Sequence, residues 1–110
     1  MARDPAADRQ ALVEVINLGL LWHCLCAITR LEVPEHLAAG PLPVPELAAV
    51  VGANPDALWR VLRLVADHRI VTLEGDRVGL TDRGRLLCQD HPSSLSAAFA
   101  TVGDSDVALG

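Results

Sequence analysis

Apolar residues dominate the first third of the chain and predict one long helix. Asp4 is a suitable N-cap and Pro5 is favoured at a first helical position, so we place the helix from there to about Arg30. Its apolar side chains cover almost the whole circumference, whereas a surface helix usually has one apolar stripe. They are Leu12, Val13, Val15, Ile16, Leu18, Leu20, Leu21, Trp22, Cys24, Leu25 and Ile28.

A helix that is apolar all round has to be buried on every side, and a chain of 110 residues has little interior to enclose it. We therefore predict that a second subunit covers this helix in a homodimer. The residues assigned to the dimer interface are Leu12, Ile16, Leu20, Leu21, Leu25 and Ile28. A membrane span is disfavoured because Glu14, Asn17, His23 and Arg30 interrupt the apolar run.

The rest of the chain predicts short helices and one β-hairpin. The helices run from Val33 to Leu37, from Pro45 to Val51, from Pro55 to His68, from Asp82 to about Cys88 after a Thr81 cap, and from Ser93 or Ser94 to about Val102; the strands run from Ile70 to Leu73 and from Val78 to Leu80. Two helices joined through Gly52 and Asn54 and followed by a hairpin form a winged-helix pattern. The predicted fold is mainly α, a winged-helix-like helical domain with a small β-hairpin in an intertwined homodimer. Residues 1–102 form the domain, and residues 103–110 begin a linker.

Composition and charge bear on the possible partners. The chain is 51% hydrophobic with a net charge of −5, which favours one compact domain and disfavours non-specific binding to nucleic acid. The winged-helix pattern could still place Arg60 and Arg63 in a DNA major groove. Each of them, however, lies four residues from an acid, Asp56 or Asp67, so we expect partial neutralisation. A DNA-binding regulator remains an alternative.

The sequence contains no motif for catalysis or metal binding. His23, Cys24 and Cys26 cannot close a tetrahedral zinc site, because residues one and two apart on a helix do not share a face. The chain has three cysteines, Cys24, Cys26 and Cys88. An odd number does not fit a framework of disulfide bonds and indicates buried thiols in a reducing cytoplasm. The N-terminus carries both charge signs and does not have the form of a signal peptide. We predict no catalytic residue, no metal and no cofactor in this chain.

Four segments give the chain a resemblance to a known family. They are PELAAVVG at residues 45–52, LWRVLRLVA at 58–66, VGLTDRGRLL at 78–87 and DHPSS at 90–94. Together with the apolar first helix, they resemble the N-terminal dimerisation domain of S-adenosylmethionine-dependent O-methyltransferases, the caffeate and hydroxyindole type and their bacterial antibiotic-pathway relatives. The similarity extends from about Leu12 to Ser94.

The resemblance implies a domain that interlocks with a second copy and helps to wall the acceptor pocket of a bacterial, natural-product O-methyltransferase. It also implies a cofactor-binding domain after Gly110, so S-adenosylmethionine is expected only where such a domain follows. We therefore expect this chain to be inactive in methyl transfer by itself. An alternative is a stand-alone protein that binds or transforms a hydrophobic or aromatic natural product in its dimer cavity, at a pocket that includes Trp22 and His23.

Overall fold

The computed structural model describes residues 4–99, and they begin with the long helix that the sequence predicts. Helix α1 spans Pro5–Arg30. The Asp4 carboxylate accepts a hydrogen bond from the backbone N–H of Ala6 at 3.0 Å, which satisfies one of the free donors of the first turn. Both predicted ends of this helix are confirmed.

Three further helices follow in the predicted order: α2 (Val33–Leu37), α3 (Val44–Val51) and α4 (Pro55–Asp67). Gly52 ends α3 in the left-handed conformation with φ of 72°, a backbone geometry that glycine adopts without steric cost. The Asn54 side chain then caps α4 by accepting hydrogen bonds from the backbone N–H groups of Asp56 at 2.9 Å and Ala57 at 3.1 Å. The end of α3 and the start of α4 were therefore predicted correctly from the sequence.

The sheet has three antiparallel strands in the order β1-β3-β2. They are β1 (Leu42–Pro43), β2 (Val71–Glu74) and β3 (Arg77–Leu80). The β2–β3 hairpin confirms the prediction and pairs Val71 with Leu80. Strand β1 was not predicted, because two residues that include a proline carry no alternation and no strand propensity. It forms an edge strand, where a missing N–H donor is tolerated.

The segment after the sheet is less helical than predicted. Helix α5 spans Asp82–Arg85, and the Thr81 hydroxyl accepts a hydrogen bond from the Gly84 N–H at 3.0 Å, which confirms the cap. The helix does not continue to Cys88, because the next N–H groups bond to carbonyls three residues back in a succession of turns. Another helix covers 96–99, and the Ser94 hydroxyl accepts from the Ser96 N–H at 3.1 Å. The predicted helix end near Val102 and the predicted domain boundary lie outside the described residues.

The hydrophobic core draws on nearly every element and is aliphatic, as the composition predicts. Its most deeply buried side chains are Ile28, Val33, Pro34, Leu37, Leu47, Leu62, Val65, Val71 and Val78. Helix α4 supplies the centre of this core and contacts α1, α3 and β2. Helix α1 contributes to the core through its last turns, whereas most of its length lies outside the core.

Candidate dimer interface

The two ends of α1 lie in different surroundings. Near its C-terminus Leu25, Cys26, Ile28 and Thr29 are buried, and α2 and α4 pack against this part. From residue 5 to residue 20, every side chain except Val13 is exposed. The exposed set includes large aliphatic side chains that soluble monomers seldom expose together: Leu12 at 66%, Val15 at 64%, Ile16 at 65%, Leu18 at 60% and Leu20 at 55%.

Helical spacing groups the exposed apolar residues into a continuous stripe on the side of α1 that faces away from the chain. Leu12, Val15, Ile16 and Gly19 are three or four residues apart, so they lie one above another along the helix. We call these four residues the outer stripe. At about 1.5 Å per residue, it extends for about 11 Å. Nothing in residues 4–99 covers it.

Two polar residues of the same helix, Glu14 and Asn17, lie on the side toward α4, although both are exposed. Glu14 and Asn17 line a cleft of about 410 Å³ together with Leu18 and, from α4, Leu64, Asp67 and His68. Between Leu12 and Gly19 the outer side of α1 is therefore apolar, whereas the outer side of a surface helix is usually polar. Sequence reasoning missed this arrangement. The signal is present in the spacing of Gln10, Glu14 and Asn17, which forms one polar stripe.

The six residues predicted for the dimer interface divide between two environments. Leu12, Ile16 and Leu20 are exposed, and Leu21 is half-buried against the core. Leu25 at 9% and Ile28 at 1% exposure belong to the chain's own core. These two side chains are already covered within one subunit, because the last turns of α1 rest on α2 and α4.

Trp22 and His23, predicted to line a substrate pocket, lie on the surface of α1, just after the outer stripe. The Trp22 ring contacts the ring of Phe99, with centroids 4.8 Å apart and an interplanar angle of 44°. Trp22 stays 36% exposed and His23 is exposed. The helix at 96–99 thus covers part of Trp22, whereas His23 is open to solvent.

The cysteines occupy sheltered positions. Cys26 and Cys88 are buried and Cys24 is half-buried. Burial raises the pKa of the Cys24 thiol above its ordinary value. Burial, assisted by the nearby carboxylates of Glu35 and Asp90 and opposed by Arg85, also raises the pKa of Cys88. Both thiols are therefore poor nucleophiles at neutral pH. No group of three His, Cys, Asp or Glu side chains in residues 4–99 could hold a metal ion.

The charges on α4 are arranged differently from the prediction. Arg60 and Arg63 are exposed, as are Asp56 and Asp67. The expected pairs between them do not close to an ion-pair distance; within residues 4–99 the ion pair formed is that of Arg85 with Asp82, at 4.0 Å. Exposed ion pairs of this kind are weak, and solvated side chains lose less conformational entropy when they stay apart. The neutralising contacts on α4 were therefore wrongly predicted.

Residues 4–99 do not contain the strand–loop–helix arrangement that commonly binds nucleotide cofactors. Dinucleotide and related cofactors bind where a parallel strand turns through a glycine-rich loop into a helix, so that backbone N–H groups face the ligand. Here the strands are antiparallel. The helix after β3 is the four-residue α5. A Cβ at its Gly84 would overlap the backbone carbonyl of Ile70, so this glycine serves packing.

Helix α1 is long and apolar enough to cross a membrane when judged by length and composition alone. An unpartnered apolar surface on a 26-residue helix satisfies that criterion whether its partner is lipid or protein. The geometry therefore defines a helical domain with a small sheet and one long helix that presents an uncovered apolar stripe.

Known proteins share this arrangement. The family model of the O-methyltransferase dimerisation domain matches residues 13–90. The chain therefore belongs to the O-methyltransferase dimerisation-domain family, which confirms the resemblance stated from its sequence.

The individual relatives are methyltransferases. The O-methyltransferase aclU of Aspergillus oryzae is 32% identical over 98 residues, which cover 80% of this chain and 21% of that protein. The 8-amino-8-demethylriboflavin N,N-dimethyltransferase of Streptomyces davaonensis is 33% identical over 84 residues, 76% of this chain and 24% of that protein. The crystal structure of CalO1, a methyltransferase in calicheamicin biosynthesis, superimposes with a TM-score of 0.80 at 35% identity and covers 94% of this chain and 31% of that one. The chain thus spans about a fifth to a third of the length of these relatives.

Proposed function

We propose that this chain forms a homodimer through the outer stripe of α1. The observation that carries the proposal is the exposure of Leu12, Val15 and Ile16, each at 64–66%, on the side of the helix that faces away from its own core. The family is defined as a dimerisation domain, which supports the same conclusion. A two-fold homodimer pairs the same patch from both subunits, so one stripe supplies both halves of the interface.

Hydrophobic burial at the outer stripe contributes a gain of the same order as the cost of association. Fully burying a Leu, Val or Ile side chain contributes about 1.5–3 kcal/mol. Leu12, Val15 and Ile16 from two subunits bring six such side chains, with Leu20 beside them. This gain opposes an association cost of about 4–15 kcal/mol for lost translation, rotation and side-chain freedom. The polar Glu14 and Asn17 point into the cleft with α4, so they need not be desolvated at the interface.

We further propose that the chain acts as the assembly module of an O-methyltransferase-like protein of secondary metabolism and does not transfer a methyl group by itself. The antiparallel sheet of residues 4–99 and the four-residue helix that follows it support this proposal. Isothermal titration calorimetry of the purified chain with S-adenosylmethionine tests this proposal, and we expect no binding of the cofactor. Saturable binding of one cofactor per chain would contradict it.

The homodimer is tested by the molar mass in solution. Light scattering coupled to size exclusion should give twice the 11.7 kDa chain mass at micromolar concentration. A monomer that stays in solution would contradict the proposal. A monomer that floats with phosphatidylcholine vesicles would also contradict it and would assign α1 to a lipid surface.

A small-molecule pocket at Trp22 and His23 is a second proposal, and the half-exposed Trp22–Phe99 pair favours it. Aromatic faces of this kind bind flat, hydrophobic ligands by stacking. In the variant Trp59→Phe, Trp22 is the remaining tryptophan, so its fluorescence reports on this location. We expect quenching by a polycyclic aromatic acid such as 2-hydroxy-1-naphthoic acid and a weaker response in His23→Ala. Unchanged fluorescence at millimolar ligand would contradict the pocket.

A further inference from the structure

Gly19 lies in the middle of α1, at the end of the outer stripe. A Cβ built at this position meets no atom within 4 Å, and the residue is exposed. Its neighbours on the same side are Ile16, three residues before, and Trp22 and His23, three and four residues after. Gly19 therefore separates two groups of large side chains on one helical surface.

A glycine at this position is disfavoured by everything within one subunit. In the interior of a helix, glycine loses more backbone entropy than any other residue and is much less favourable than alanine. Here φ is helical, so the special freedom of glycine at positive φ is not needed. No packing contact in the described chain requires the missing Cβ. Within residues 4–99 no contact explains the glycine, and it lies on the side where the apolar stripe is uncovered.

We propose that the two copies of α1 cross at Gly19, where the absence of a Cβ on both helices lets the backbones approach closely. This inference rests on the proposed homodimer and specifies its geometry. In a two-fold dimer the residue on the axis meets its own copy. Helices usually pack with axes 8–10 Å apart, and that distance decreases when the residues at the crossing are small. The large side chains on either side, Ile16 and Trp22, then pack around the partner helix.

The proposal makes the effects of Gly19→Ala on the subunit and on the dimer opposite in sign. Alanine adds a methyl group where the chain has open space, so the isolated helix becomes more stable. At a close crossing the two added methyl groups collide, and overpacking should raise the Kd of the dimer about tenfold or more. Asn17→Ala is the matched control, because it also improves helix propensity but lies about 160° around the helix, in the cleft with α4. Its Kd should stay within about twofold of the wild type.

Cross-linking tests the same contact by distance. A disulfide requires Cα atoms within about 7 Å, so Gly19→Cys should form a covalent dimer under mild oxidation. Asn17→Cys and the wild type, with its three native cysteines, should stay largely uncross-linked. Covalent dimer from Gly19→Cys together with a weakened Gly19→Ala dimer supports the crossing.

Three results separate failure of the crossing from failure of the homodimer. In the first result the wild type is a dimer, Ile16→Ala weakens the dimer, and Gly19→Ala tightens it or leaves it unchanged. This result supports the homodimer and overturns the crossing. A wild type that is monomeric at micromolar concentration overturns both proposals. A dimer that Gly19→Ala and Ile16→Ala leave unchanged overturns the crossing and places the interface elsewhere on the chain.

Discussion

The two long helices show how differently apolar residues can be used in one small domain. Helix α4 has a conventional pattern, since Leu58, Leu62 and Val65 are buried while Arg60 and Arg63 are exposed. Helix α1 is the more apolar of the two, yet its residues from 5 to 20 are exposed apart from Val13. The apolar residues of α4 thus form a single stripe that neighbouring elements of the same subunit cover.

This difference assigns separate tasks to the two helices. The stripe of α4 stabilises the subunit, because α1, α3 and β2 pack on it. Nothing in residues 4–99 covers the outer stripe of α1, so we expect it to become stabilising when a second copy covers it. The same chemical change should therefore affect the subunit when made in α4 and the dimer when made in α1.

A matched pair of leucines should show the largest effect. Leu62→Ala removes a fully buried side chain, at 0% exposure, and should lower the free energy of unfolding by about 2–5 kcal/mol. Leu12→Ala removes one that is 66% exposed and should change the stability of the dissociated subunit by less than about 0.5 kcal/mol. Urea unfolding at several protein concentrations measures both, since a loss confined to the dimer depends on concentration. Equal losses at low concentration would refute the division of tasks.

A charge on the outer stripe should have the next largest effect. Ile16→Glu places a carboxylate where the partner's stripe would exclude water, and we expect the Kd to rise about a hundredfold, or about 2.7 kcal/mol. Gln10→Glu introduces the same side chain about 120° around the helix and should leave the Kd nearly unchanged. Sedimentation equilibrium measures the two constants. A dimer that tolerates glutamate at residue 16 would exclude this surface as the interface.

The N-caps of α4 and α1 should contribute smaller amounts to the stability of the subunit, and the two helices should again differ. Asn54→Ala removes two hydrogen bonds at the start of α4 and should cost about 1 kcal/mol of subunit stability. Asp4→Ala removes one hydrogen bond at the start of α1, where residues 4–10 are all exposed and can fray locally. We expect less than half the effect of the α4 cap in thermal unfolding. A larger loss from Asp4→Ala would mean that the first turns of α1 are held in place.

The smallest effect concerns the thiols at alkaline pH. The folded state raises the pKa of Cys24 and of Cys88, so it favours the protonated thiol relative to the unfolded chain. This stability is fully present below the unfolded thiol's pKa of about 8.5 and is lost as the pH rises through the higher folded value. All nine basic residues are arginine and the chain has no tyrosine, so few other side chains titrate there.

Urea unfolding between pH 7 and pH 10.5 should therefore show a decline that Cys24→Ala reduces in part. Stability that rises with pH across this range would contradict the assigned direction of both shifts.

Local chemistry made most elements predictable. The caps at Asp4, Asn54 and Thr81 each rest on a side-chain hydrogen bond to a neighbouring N–H, and Gly52 on a backbone angle. Such signals lie within a few residues of the element that they define. Strand β1 escaped prediction because two residues contain no periodicity, and its pairing partner Val78 lies far along the chain.

The amino-acid sequence by itself determined that α1 is a long, capped, apolar helix that requires more cover than a small domain offers. Only the tertiary structure decided how that cover is divided. It placed Leu25 and Ile28 in the subunit core, turned Glu14 and Asn17 toward α4 and left Leu12, Ile16 and Gly19 facing outward. Helical periodicity tells which residues share a side of α1, whereas which side meets the core depends on where α2 and α4 pack. Those contacts form between distant parts of the chain, and no local pattern encodes them.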